Sequence, residues 1–108
     1  FTFDTKMAAF HRQLDDVFAP ERACLWHDRR IRHIHINDYA GGYMDWSNLR
    51  TLHPGQGNID FAEFFSRLKA MSYTDDYTIE ATSFDQSGAV DLDALNRDYE
   101  YVRDCLAR

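Results

Sequence analysis

Three short segments of the sequence alternate apolar and polar residues, and this pattern constrains the fold more than any other feature. The central segment, residues 31–38, places two histidines and a terminal aspartate among isoleucines. Because successive side chains of a strand point to opposite faces, we predict a strand with one face that carries chemistry and one that does not. The first face comprises Ile31, His33, His35 and Asn37. The second face comprises Arg32, Ile34 and Ile36.

The two flanking segments, residues 1–4 and 77–81, repeat the alternation, and each carries an acid near its C-terminal end. Parallel strands joined by crossover helices align their C-terminal ends on one side of a sheet. We therefore expect Asp4, His35 and Glu80 to converge. Carboxylate and imidazole donors without a thiolate suit Mn²⁺, Mg²⁺ or Zn²⁺, so the pattern predicts a divalent metal site. The alternative is that the two histidines are ordinary interior residues that only form hydrogen bonds. This alternative accounts for the central segment but not for the acids at the ends of the two flanking segments.

Helical signals fill the sequence between these strands. Helices are predicted over residues 7–18 and, as a shorter turn, over residues 21–29. Asp60 with Glu63 three residues later forms a capping box that starts a third helix, and Asp91 can cap a fourth. The apolar stripe predicted for the third helix comprises Phe61, Phe64, Phe65, Leu68 and Met71. The stripe predicted for the fourth comprises Leu92, Leu95, Tyr99, Val102 and Leu106. The order β-α-β-α-β-α predicts an α/β fold with a parallel sheet.

Composition supports a single domain spanning residues 1–108, because 44% hydrophobic residues suffice for one small core but not for two. The net charge of −6 offers no electrostatic attraction to nucleic acid. No apolar run approaches the roughly 20 residues that span a bilayer. We therefore expect a soluble, cytoplasmic protein that does not act on membranes. Cys24 and Cys105 lack metal-site spacing and are expected to be semi-buried thiols without a function.

The polar stretch of residues 38–58 follows the central strand, and loops of this length in compact domains are usually functional. We expect substrate contacts from Asp38 at its start, from Trp46 within it and from His33 beside the metal. Trp46 has an alternative role, since its ring could simply pack the loop down. The Gly-x-Gly pair at 55–57 is weak evidence for phosphate binding, because no third glycine or P-loop lysine accompanies it.

Four motifs stand in order along the chain: Phe-Asp-Thr at 3–5, His-Ile-His-Ile-Asn-Asp at 33–38, Gly-Gln-Gly-Asn-Ile-Asp at 55–60 and Tyr-Thr-Ile-Glu at 77–80. Together they resemble the xylose-isomerase-like TIM-barrel superfamily, which comprises sugar-phosphate isomerases and epimerases and also AP endonuclease IV. The resemblance covers essentially the whole chain and implies the last three βα units of a (β/α)8 barrel. It also implies that Asp4, His35 and Glu80 bind the metal, that Glu80 moves a proton, and that a further glutamate ligand precedes residue 1.

The function that the resemblance implies is a metal-dependent isomerase or epimerase of a sugar, sugar phosphate or polyol, which transfers a proton through an enediolate. Three departures limit this transfer. Met7 stands where the family has a histidine, residues 40–42 lack the arginine of the epimerases, and residues 49–52 lack the Asp and His of the endonuclease. The alternatives are a non-catalytic or truncated barrel fragment and a metal-dependent hydrolase or lyase on the same fold. Three parallel strands cannot close a barrel, so we expect the chain to be part of a longer protein or to assemble as a homo-oligomer.

Overall fold

Three parallel strands form the sheet, in the order β1-β2-β3. The computed structural model describes residues 1–50, 52–80, 84 and 86–108. Within them, β1 spans Thr2–Asp4, β2 spans His33–Ile36 and β3 spans Asp76–Ile79. Both strand pairs are parallel, which confirms the predicted α/β arrangement. The last residue of the predicted third strand, Ala81, lies outside the described residues.

Helices connect and follow the strands. The α-helices are α1 at Thr5–Phe10, α2 at Cys24–His27, α3 at Phe61–Ala70 and α4 at Leu92–Ala107. Short 3-10 turns lie at Asp16–Phe18, Pro20–Arg22 and Trp46–Asn48. Asp60 accepts a hydrogen bond from the Glu63 amide, and Asp91 accepts one from the Ala94 amide, so both predicted helix caps are confirmed. In the described ranges, no helix combines the length and apolar character needed to cross a membrane.

The register of the strands separates a polar face of the sheet from an apolar one. Asp4, His35 and Thr78 stand side by side across the three strands. On the opposite face, Ile34 and Ile36 are fully buried. The core that packs on this face comprises Phe10, Val17, Trp26, Ile31, Ile34, Ile36, Tyr39, Ile59, Phe61, Phe64, Phe65, Leu68, Val102 and Cys105. Each fully buried apolar side chain contributes roughly 1.5–3 kcal/mol to the free energy of unfolding. The apolar face of the sheet therefore supplies most of the stability, and the side chains of the polar face contribute less to it.

The start of β2 differs from the predicted strand. The Ile31 amide donates to the Leu25 carbonyl at 3.0 Å, so the turn after α2 continues to this residue. Ile31 is buried in the core and Arg32 is exposed, which is opposite to the faces assigned from the alternation. The assignment is therefore correct for His33–Ile36 and wrong for the two residues before it, because Ile31 still belongs to the turn after α2 and the regular strand begins only at His33.

The helix predicted over residues 7–18 is interrupted. α1 ends at Phe10, and Arg12 has a φ of 54°, in the left-handed region that a right-handed helix cannot continue through. The chain then makes the 3-10 turn at Asp16–Phe18. Phe10 and Val17 are nevertheless both buried, so the apolar spacing that suggested one continuous helix comes from two separate turns.

The buried face of α4 is rotated relative to the predicted stripe. Leu92 and Tyr99, two members of that stripe, are 67% and 60% exposed. The buried residues of α4 are Ala94, Asp98, Val102 and Cys105, and of these only Val102 belongs to the predicted stripe. Asp98 can lie on this face because its carboxylate is 2.5 Å from Nδ1 of His53, and a buried acid needs such a partner. The rotation thus depends on a contact between residues far apart in sequence.

The two cysteines differ in environment. Cys105 is buried on α4, whereas Cys24 is exposed at the start of α2, and both are free thiols. The expectation of two semi-buried thiols is therefore wrong for both: Cys105 is only 3% exposed, and Cys24 is exposed because the short helix α2 turns only Trp26 fully into the core.

Candidate metal centre

Asp4, His35 and Glu80 converge at the C-terminal edge of the sheet, and we call these three residues the triad. Asp4 ends β1, His35 lies next to it on β2, and the Glu80 amide donates to the Ile36 carbonyl at 2.9 Å, directly after β3. Each side chain offers a donor atom, and the three atoms lie within 4.8 Å of one another. The predicted convergence at this edge is confirmed.

The donor set fits a divalent ion chemically and nearly fits one geometrically. Two carboxylates and one imidazole, without sulfur, are ligands that Mn²⁺, Mg²⁺ and Zn²⁺ accept. Because such ligands bind at roughly 2.0–2.2 Å, two donors of one ion lie at most about 4.4 Å apart. Small side-chain rotations would therefore bring the triad, now within 4.8 Å, to binding distance.

Asp4 has two roles at this edge. Its Oδ1 accepts a hydrogen bond from the Met7 amide at 2.9 Å and so caps α1, which fixes the orientation of the carboxylate. In the described part of the chain, no hydrogen bond uses Oδ2, so this oxygen is available to a ligand. The side chain of Met7 packs against the hydrophobic core. The position at which the related motif has a histidine therefore offers no polar group here.

His35 and Glu80 contact each other directly. Nδ1 of His35 lies 3.2 Å from Oε2 of Glu80, and the two side chains are 34% and 49% exposed. The pair is therefore open to solvent and to a small molecule, while it remains attached to two neighbouring strands. A proton-transferring group needs this combination of fixed attachment and access.

Asn37 and Thr5 form a buried network behind the triad that sequence reasoning missed. Both side chains are fully buried. The Thr5 hydroxyl donates to the Asn37 carbonyl at 2.6 Å and accepts from the Asn37 amide at 3.0 Å. The side-chain nitrogen of Asn37 donates to Oε2 of Glu80 at 2.9 Å. The available signal was the alternation itself, since Asn37 follows His35 on the same predicted face and Thr5 directly follows Asp4.

His33 lies next to His35 on the polar face of the sheet. The two imidazole rings meet edge to face, with centroids 5.2 Å apart, and Nε2 of His33 lies 2.6 Å from the Thr78 hydroxyl. This hydrogen bond spans β2 and β3. The contact supports the sheet beside the triad, and a substrate contact of His33 stays a prediction.

Asp38 is enclosed by the loop that follows β2. Its side chain is fully buried, and its two oxygens accept four backbone N–H groups. These donors are the amides of Tyr39, Gly55, Gly57 and Ile59. We therefore assign Asp38 a structural role and leave it out of the proposed substrate contacts. The Gly-x-Gly amides that suggested phosphate binding already bind this carboxylate, which corrects that interpretation.

Trp46 lies in the 3-10 turn of the same loop. Its ring packs edge to face on Phe10, with centroids 4.9 Å apart, and the residue remains 68% exposed. The packing role that the sequence left open is therefore present. The exposed remainder of the ring is compatible with a substrate contact, which stays a prediction.

A separate cavity of about 490 Å³ lies between the loop at residues 53–56 and α4, and no member of the triad lines it. His53 and Asp98 meet on its wall, and Asp98 is only 4% exposed. Sequence reasoning missed this pair, because nothing local connects two residues 45 positions apart. Its size is typical of ligand sites, but its position separates it from the donor atoms described above.

Comparisons with known proteins support the motif-based interpretation. The family model described as a xylose isomerase-like TIM barrel matches residues 2–105, which include all three members of the triad. The comparison with curated proteins found no match, and the comparison with solved structures found none either.

Proposed function

The chain belongs to the xylose isomerase-like TIM-barrel family, and from this premise we propose that it carries the metal-binding part of an isomerase or epimerase. Its substrate would be a sugar, a sugar phosphate or a related polyol, and its three βα units would be the last three of an eight-unit barrel. The observation that carries the proposal is the convergence of the triad within 4.8 Å. TIM barrels have their active sites at the C-terminal ends of the strands, where the triad lies.

In the proposed mechanism, Asp4, His35 and Glu80 would hold one divalent ion. When bound, the ion supplies positive charge that stabilises negative charge on adjacent carbonyl and hydroxyl oxygens of the substrate. Glu80 would take the proton from the carbon atom beside the substrate carbonyl; in an isomerase it would deliver this proton to the neighbouring carbon, and in an epimerase a second group would return a proton to the other face of the same carbon. Its half-exposed carboxylate, attached next to β2 through His35 and Asn37, supports this role.

Completion of the site requires further strands. Among the described strands, β1 and β3 each have a neighbour on one side only, and Thr2 and Thr78 are exposed on the polar face. Unpaired strand edges readily accept additional strands. We propose that these strands come from the rest of a longer chain or from a second copy, and that they bring the remaining ligand.

A non-catalytic barrel segment is the second candidate function, and Met7 favours it. Its apolar side chain packs against the core at the position where the family motif has a histidine. A barrel that has lost this polar group would keep the fold and lose part of its substrate contact. Metal binding without turnover would distinguish this candidate from the isomerase.

The test combines metal content with a substrate screen of the complete protein. We expect about one Mn²⁺, Mg²⁺ or Zn²⁺ per chain by elemental mass spectrometry, and interconversion of isomers in a panel of neutral sugars, sugar phosphates and polyols. His35→Ala should weaken metal binding at least tenfold more than His33→Ala, its matched control on the same strand. Equal losses in the two variants, or a protein that binds no divalent ion, would refute the proposed centre.

A further inference from the structure

We propose that Asn37 is a positioning residue that holds the Glu80 carboxylate by one oxygen and leaves the other oxygen for the ion. This inference rests on the proposed function and adds a residue that acts through Glu80 without itself touching the substrate. Four contacts carry it, and they link the start of α1, the end of β2 and the residue after β3.

The orientation of the Asn37 side-chain amide is fixed by contacts with the start of α1. Its Oδ1 accepts the Lys6 backbone N–H at 3.0 Å and lies 3.3 Å from the Thr5 hydroxyl. A backbone N–H can only donate, so the atom that faces Lys6 must be the oxygen, and the nitrogen must face Glu80. Since the side chain is fully buried, it cannot rotate to another partner. Asn37 is therefore a rigid donor aimed at the triad.

One oxygen of Glu80 receives all the described contacts. Oε2 accepts from Nδ2 of Asn37 at 2.9 Å and lies 3.2 Å from Nδ1 of His35. In the described ranges, no hydrogen bond uses Oε1. A half-exposed glutamate would otherwise occupy many rotamers, and ordering a side chain of this type costs about 1.5–2 kcal/mol. The contact with Asn37 orders the side chain before an ion arrives and occupies Oε2, so Oε1 is the oxygen left for the ion.

The decisive experiment is a double-mutant cycle in metal affinity. Mn²⁺ titrations by calorimetry would compare the wild type, Asn37→Ala, Glu80→Ala, which removes the acceptor of the Asn37 hydrogen bond, and the double variant. We expect Asn37→Ala to weaken binding by about 10–100-fold in the wild type and by less than about threefold when Glu80 is already replaced. An equal loss in both backgrounds would show that Asn37 only supports the fold, and it would overturn the inference. So would an Asn37→Ala variant with unchanged affinity.

A second measurement works without metal and without replacing Asn37. In the metal-free protein, the side-chain NH₂ proton of Asn37 that faces Glu80 should resonate downfield, and Glu80→Gln should move it upfield. Asp4→Asn is the control, and it should leave this resonance in place. If the chemical shift of this proton is the same in the wild type and in Glu80→Gln, the inference is overturned. A wild type that binds no Mn²⁺ would instead refute the proposed function. The chemical shift would still test whether Asn37 contacts Glu80, because it is measured without metal.

Discussion

Asp38 and Glu80 are both acids that follow a strand at the same edge of the sheet, yet their surroundings differ completely. Asp38 is fully buried and accepts four backbone N–H groups at 2.8–3.1 Å. The Glu80 side chain is 49% exposed, and its described contacts are with Asn37 and His35 at a single oxygen. The number of backbone donors therefore distinguishes an acid that organises a loop from one that is available for chemistry.

The glycines of the loop explain the difference. A Cβ atom added at Gly57 would lie 2.5 Å from Oδ1 of Asp38 and 2.6 Å from the Tyr39 carbonyl oxygen. Only a residue without a side chain lets the backbone approach the carboxylate so closely. The residues that follow β2 thus include glycines that surround the acid with amides, whereas Glu80 extends from its strand towards neighbouring side chains.

The largest effect is expected for Asp38→Asn. This variant keeps the shape of the side chain but replaces one carboxylate oxygen by an NH₂ group, so two of the four backbone N–H groups face a donor and lose their acceptor. We expect the free energy of unfolding to fall by about 3–5 kcal/mol. Urea denaturation measures it. A loss of less than about 1 kcal/mol would mean that the four hydrogen bonds are not what holds the loop.

A smaller effect is expected for Gly57→Ala, which tests the close approach itself. The added methyl group would push against Asp38 and against backbone, so we expect a loss of about 1–3 kcal/mol. Gly42→Ala is the matched control, because a Cβ atom there would have nothing within 4 Å, and its effect should stay within about 0.5 kcal/mol. Equal stability of the two variants would contradict the packing described for Gly57.

A third acid, Asp75, forms an ion pair with the exposed side chain of Arg29. Hydrogen bonds from Arg29 lower the pKa of Asp75 below its ordinary value of 3.8. A carboxyl with a lowered pKa stabilises the fold above its ordinary pKa, and this contribution is lost as the pH falls through the folded-state pKa. Asp75→Asn should therefore lower the melting temperature slightly at pH 7, and this difference should shrink as the pH falls below 3.8. A difference that grows on acidification would contradict the assignment.

The smallest effect on stability is expected for Glu80→Gln in the metal-free protein. The residue is half exposed, and an amide can still accept from Asn37, so we expect a change within about 0.5 kcal/mol. The same variant should weaken Mn²⁺ binding by at least tenfold. If Glu80→Gln instead destabilised the protein as much as Asp38→Asn, Glu80 would have a structural role like that of Asp38, and the proposed difference between the two acids would be wrong.

The sequence alone predicts the three strands, apart from the start of β2, because alternation is a local pattern. It predicts the convergence of the triad because parallel strands joined by helices align their C-terminal ends. Asp60 and Asp91 as helix caps follow from local rules too. The buried face of α4 does not follow from local rules, since it depends on the contact between Asp98 and His53. The enclosure of Asp38 likewise required the fold, because residues up to 21 positions away supply its donors.

The position of a bound ion tests the central claim most directly. Crystals of the complete protein grown with Mn²⁺ would give an anomalous difference peak at the manganese. We expect one peak within about 2.0–2.4 Å of Oδ2 of Asp4, a ring nitrogen of His35 and Oε1 of Glu80. A peak elsewhere, for example in the cavity beside His53 and Asp98, or the absence of any peak at saturating Mn²⁺, would contradict the proposed centre.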